Sequence, residues 1–205
     1  KHVIWSAAFG GLVFFSAVFA KQAAAPTQLE PSKEEIKAAR SSVLMLKHLH
    51  YEHKKLNDAL SSVVFDRYLK DLDGSRSYFL ASDIKEFEAY RNELDDDLTK
   101  GELGHAFLIY SRFQQRGTER LNYVLRTLSK GVEHFDFSTN VSLETKRDNA
   151  PWPKSTDELD NLWHKRLMST VLSLKLSGKD NAAITKMLTK RYETQLNNMN
   201  RNKAD

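Results

Sequence analysis

Apolar side chains recur along most of this chain at helical rather than alternating intervals. Leu60, Val64, Tyr68 and Leu72 stand four residues apart, with Phe65 and Leu69 beside them. Spacing of this kind puts the apolar side chains on one broad helical face. Upstream, residues 34–56 carry Ile36, Val43, Leu44, Leu46, Leu49 and Leu56 among many charges. Downstream, Ile84, Phe87, Leu94 and Leu98 predict a helix that begins near Ser82 and Asp83 as caps and stops at Lys100-Gly101. Gly74 stands where the preceding helix calls for a residue tolerant of positive φ. A longer helix is expected over roughly residues 102–129, through Phe107, Tyr110, Phe113, Leu121, Val124 and Leu128, with Gly131 ending it.

Residues 132–150 lack a clear period and read as an extended connection with room for one short strand. Pro151-Trp152-Pro153 is a stiff, non-helical stop. Ser155 and Glu158 then form a capping box ahead of Leu159, Leu162, Trp163, Leu167, Val171 and Leu174, and Gly178 closes that helix. A last helix carries Ile184, Met187, Leu188, Tyr192 and Leu196. The expected fold is all-α: an irregular multi-helix bundle of about six helices, with a less regular connection around residues 132–154. The arcs of residues 58–72 and 159–174 are wider than a surface helix needs. Both helices are therefore expected to lie centrally, or to be covered by protein beyond this chain.

The N-terminus has a different pattern. Lys1 and His2 precede an apolar run over residues 3–20 that ends in Val18-Phe19-Ala20, and polar chain follows from Lys21. This is the layout of a secretory signal peptide over residues 1–20. The alternative is an uncleaved membrane anchor. The run falls slightly short of the ~20 residues that span a bilayer, which favours cleavage. Residues 21–33, rich in Ala, Pro and Thr, read as a linker, and residues 34–200 as the helical domain. An exported body makes nucleic acid an unsuitable partner and leaves the signal segment as the only contact with a membrane.

Composition sharpens this picture at two points. The chain has 205 residues and no cysteine, which excludes disulfides, thiolate nucleophiles and cysteine-type zinc sites within it. Its formal charge of +4 arises from interspersed signs, without the basic block that a nucleic-acid footprint requires.

Several groups of residues invite a chemical reading. Asp71, Asp73 and Gly74 suggest a calcium loop, but counting from Asp71 puts Arg76 and Ser82 where an EF-hand needs its glycine and its bidentate glutamate. A turn between helices is the better reading. Ser82 and Lys85 fit the S-x-x-K spacing of some serine hydrolases, yet the companion K-T-G motif is missing. His48, His50 and His53 cluster without the H-E-x-x-H order that would aim two imidazoles and a base at one zinc. Asp95, Asp96 and Asp97 read as a solvated face, and Trp152 and Trp163 as core anchors. Asp66 and Arg67 could form a buried ion pair or be ordinary surface charge. No catalytic, cofactor-binding or metal-ligating residue is assigned, and no cofactor is expected.

Three stretches resemble a known family. They are Phe65-Asp66-Arg67-Tyr68-Leu69 with Leu72-Asp73 and residues 79–84; Ala150-Pro151-Trp152-Pro153-Lys154 with Glu158-Leu159 and Leu162-Trp163; and residues 174–179 with Leu188-Thr189-Lys190-Arg191-Tyr192. In order and spacing they are similar to the N-terminal domain of tail-specific proteases, also called carboxyl-terminal processing peptidases. The likeness covers most of residues 60–195 and weakens before about residue 58.

The resemblance implies a parent enzyme of the Gram-negative periplasm. Such an enzyme binds substrate tails through a PDZ domain and cuts with a Ser/Lys dyad; some relatives work with a lipoprotein adaptor. The expected partners are the PDZ and protease domains of the same polypeptide, such an adaptor, and unfolded or tail-exposed proteins. The PDZ and protease domains are expected to lie outside this chain, and no serine or lysine here matches the family dyad. The expected function is a helical wall beside those parts that limits or guides substrate access, without an active site of its own. The alternative is a free-standing exported module that holds a partner in an apolar groove.

Overall fold

A computed structural model describes residues 29–48 and 56–201. The signal segment, most of the linker, and His50 and His53 lie outside those residues, as does the side chain of His48. The described residues form α1 (Lys33–His48), α2 (Asp58–Asp73), α3 (Ala81–Phe87), a 3₁₀ turn (Glu88–Tyr90), α4 (Leu94–Lys100), α5 (Gly104–Leu128), α6 (Thr156–Leu176) and α7 (Asn181–Arg201). There is no strand among them, so the fold is all-α and the short strand expected within residues 132–150 does not form.

Two apolar clusters make the core. The first gathers Phe65, Leu69, Phe79, Phe87, Leu94 and Ile109 from α2 to α5. The second joins α5, α6 and α7 through Val124, Leu128, Trp163, Leu167, Val171, Ile184 and Leu188, with Val132 and Phe135 folded onto it from the connection. Tyr78 links the two: its ring meets Phe113 edge-on at 5.3 Å and Trp163 at 5.4 Å. The α5–α7 pair packs closely because Gly117 lies mid-helix. A Cβ there would stand 2.6 Å from the Met199 sulfur.

The helix expected across residues 84–98 is broken in two. Ser61, 1% exposed, reaches in from α2. Its hydroxyl donates to the Arg91 carbonyl at 2.8 Å and accepts from the Leu94 amide at 3.0 Å. A tertiary hydroxyl thus satisfies backbone groups that an unbroken helix would have paired internally.

The α2–α3 corner also differs from expectation. Gly74 is right-handed, at φ −60, and the positive φ falls on Arg76 at 47. Asp73 explains the path. Its carboxylate accepts the backbone amides of Ser77, Tyr78 and Phe79 at 2.8–3.0 Å, so it draws the chain back over the helix end. Ser82 is not the cap of α3 either. Leu80 occupies that position, and the Asp83 carboxylate accepts its amide at 2.9 Å. Elsewhere the expected caps form. Ser155 Oγ accepts the Glu158 amide, and Gly101, Gly131 and Gly178 adopt φ of 75, 82 and 85. At Gly101 the left-handed backbone disfavours a side chain, and a Cβ would also require the exposed Arg40 side chain to shift.

Candidate functional site

The features that invite a functional reading converge where the 74–81 corner meets the 147–153 segment and the start of α6. Long-range hydrogen bonds close this junction. Trp163 Nε1 donates to the Ser77 carbonyl at 2.7 Å, Ala81 N to Pro153 O at 2.8 Å, and Arg76 Nη1 to Ala150 O at 2.5 Å. The Arg76 guanidinium also lies 5.1 Å from the centre of the Trp152 ring. Prolines on both sides of Trp152 hold the segment extended, so its carbonyls face the corner instead of entering a helix.

Trp163 is buried, as expected of a core anchor; Trp152 is half-buried at the edge of the aromatic cluster and separates two cavities. One, of about 300 Å³, is lined by mixed charges including Asp66, Arg76, Glu88 and Arg91. The other, of about 600 Å³, lies between the 142–154 segment and α6.

A charged clamp braces the neighbouring helices. Asp83, 1% exposed, is held by Arg112 Nη1 at 2.5 Å and by Arg116 Nε and Nη2 at 2.8 and 2.9 Å. Burial pushes its pKa up, but hydrogen bonds from Arg116, the Leu80 amide and Arg112 outweigh that and hold it below the usual carboxylate range.

Asp71 is exposed and pairs with Arg67 at 2.9 Å, while the carboxylate of Asp73 is taken up by backbone amides, so no calcium loop exists. Ser82 and Lys85 are both exposed, and no hydrogen bond joins them. The buried Asp66–Arg67 pair does not form. Asp66 instead reaches Arg91 at 2.8 Å, linking α2 to the turn before α4, and both charges remain accessible. The acidic run is not the solvated face that its sequence suggests. Asp96 is solvated, but Asp95 and Asp97 are buried, at 7% and 8% exposure. Helix α4 packs against α1, α2 and α5, so only one of its sides faces water. Asp97 Oδ2 accepts from His105 Nδ1 at 2.8 Å, and the His105 ring stacks on Tyr90 at 4.3 Å. This Asp97–His105 pair went unrecognised because it joins two helices across a tight turn. Among the described residues, no group of three His, Cys, Asp or Glu is placed to hold a metal ion. No helix among them is long and apolar enough to cross a membrane.

Comparison with known families now decides the assignment. The family described as "Tail specific protease N-terminal domain" matches residues 42–205. The chain belongs to this family. A tail-specific protease of Haemophilus influenzae is 35% identical over 175 residues, covering 85% of this chain. The chain spans about a quarter of that relative's length, 25%. The family match begins earlier than the motifs in the sequence, taking in the second half of α1. Two of the three segments that carried the resemblance build the tail-specific protease N-terminal domain's first apolar cluster and central junction, through Phe65, Leu69, the Phe79 corner, Pro151–Pro153 and Trp163; the third, residues 174–179 with Leu188–Tyr192, lies at the α6–α7 end.

Proposed function

We propose that this domain is the helical wall of a periplasmic carboxyl-terminal processing serine protease. In this reading it packs beside PDZ and protease domains of the same polypeptide and limits or guides the entry of unfolded or tail-exposed substrates. A lipoprotein adaptor would act on the assembled enzyme, and cleavage would occur in the remainder of the protein. The observation that carries the reading is the family match over residues 42–205, joined to a relative of which the chain spans about a quarter. Exposed apolar side chains support it: Val63 on α2 and Leu176 at the end of α6 are 64% and 80% exposed. A Ser/Lys dyad needs a desolvated lysine with a depressed pKa, and walls that exclude water help to provide one.

The test is to delete residues 34–200 from the full-length enzyme. Loss of folding, of substrate selectivity or of rate is expected; an enzyme with unaltered rate and range would sink the proposal. Ser82→Ala and Lys85→Ala in the full-length protein should leave cleavage unchanged, since neither side chain belongs to the cutting centre.

A further inference from the structure

Residues 132–137 enter the core with no helix or strand of their own. Val132 is fully buried, Phe135 is 6% exposed, and Phe137 packs against the same cluster of α5, α6 and α7. Among the described residues, this stretch makes no backbone hydrogen bond to a helix; Phe135 N reaches Val132 O at 3.4 Å. Its docking therefore rests on side-chain contacts, as in segments that open locally. Two imidazoles lie against the Phe135 ring. His134 stacks on it at 4.4 Å, and His164 meets it from α6 at 5.2 Å. His164 is half-buried, and neither imidazole has a hydrogen bond or ion pair among the described residues.

The charges around them are committed elsewhere or are of the wrong sign. On the connection, Glu133 lies beside Gly131, and Asp136 accepts the Ser138 amide and hydroxyl at 2.8 and 2.6 Å. On α6, Asp160 is taken by Arg120 of α5, Lys165 adjoins His164, and Lys175 Nζ lies 5.6 Å from the centre of the Phe137 ring. Lys130 after α5 and Lys186 on α7 share a cleft with Glu133. Burial, and after it the neighbouring His134, hold the His164 imidazole below the usual histidine range.

We propose that His134 and His164 form an acid-sensitive latch that holds residues 132–137 on the core when neutral and releases them when protonated. An imidazolium gains from an aromatic face, but two of them at one ring repel each other, and neither has a carboxylate to take up its charge. The sign follows from a folded-state pKa below the unfolded value of about 6.5. Docking is intact above the unfolded value and is lost as pH falls from there through the folded one. Release frees Phe135 and Phe137 while α5, α6 and α7 keep their own contacts through Val124, Leu167, Val171, Ile184 and Leu188. The inference stands apart from the proposed protease role, since it concerns only residues of this chain.

The test is amide hydrogen exchange of the full chain at pH 7.5 and pH 5, read by mass spectrometry as protection factors corrected for the intrinsic rate. Protection of residues 132–137 should fall roughly fivefold or more at pH 5, because the open state binds protons that the docked state resists. Peptides from the middle of α5 and α7 serve as the internal reference and should change less. His164→Gln keeps a polar side chain that cannot take the charge, so its protection should be the same at both pH values. His134→Gln, at an exposed position where folding is not at stake, should shrink the fall by removing the second charge. Helical circular dichroism at pH 7.5 shows whether each variant folds; if His164→Gln does not, His134→Gln decides. Three results would each overturn the proposal: constant protection of residues 132–137 in the wild type, an equal fall across the reference helices, or an undiminished fall in the folded variants.

Discussion

The indole of Trp163 donates its N–H to the carbonyl oxygen of Ser77 at 2.7 Å, across 86 residues of sequence. Both residues are buried, so the bond ties the corner after α2 to the core of α5, α6 and α7 with no water to replace it. Trp163→Phe deletes the donor together with the fused pyrrole ring. It should destabilise the domain by about 1–3 kcal/mol for the buried carbonyl left unpaired, and by more for the cavity left in the core. Urea denaturation of the whole chain reads this directly. A midpoint equal to the wild type would mean that the bond adds nothing.

Asp83 carries a second prediction. Asp83→Asn removes the charge that two arginines share, and should cost about 3 kcal/mol, at the lower end for a broken buried pair because both arginines are partly wet. The sign of the pH dependence follows from a depressed folded-state pKa. The contribution is fully present above the unfolded value near 3.9 and is lost as pH falls through the folded value. The stability gap between wild type and Asp83→Asn should therefore be constant near neutrality and close below roughly pH 4. A gap that persists in strong acid would assign the loss to packing.

Tyr68 supplies a test at the other end of the scale. Its hydroxyl donates to the Ala106 carbonyl at 3.0 Å, and burial, with a smaller contribution from Tyr110, pushes its pKa up to about 12. A raised value means that stability is intact below the unfolded pKa near 10 and falls as pH rises toward the folded one. Ultraviolet difference titration should show a late-ionising component, to which the partly buried Tyr78, Tyr123 and Tyr192 also contribute, that shrinks by one phenol in Tyr68→Phe. A full complement of tyrosines ionising near 10 would contradict the burial.

Gly117 and Met199 form a matched pair. Gly117→Ala gains helix propensity worth about 1 kcal/mol. It also drives a methyl into the Met199 thioether. In the wild type the two effects should nearly cancel, because a methionine can swing aside. In a Met199→Ala background the same change should stabilise by about 1 kcal/mol. Identical effects in both backgrounds would show that the two sites are not coupled.

Much of this architecture was legible in the chain. The face containing Phe65 and Leu69, the capping box at Ser155 and the glycine stops at 101, 131 and 178 are local signals, and each is found in place. The reading failed wherever a distant side chain took over a local one. Residues 84–98 have a sound helical period, yet Ser61 from α2 occupies the backbone groups that would have continued it. The acids 95–97 look like a solvated run, but the packing of α4 leaves only Asp96 in water.

Sequence periodicity alone determined that this is an assembly of helices, and three ordered motifs determined its family. Those signals act over a few residues, through propensity, capping and the repeat of one helical face. Only the tertiary structure decided that Asp73 and Asp83 would be buried anchors, that Trp152 would divide two cavities, and that Arg147, Lys154 and Lys165 would gather around one groove. Those outcomes depend on which groups lose water together when distant segments meet, and no local pattern records that.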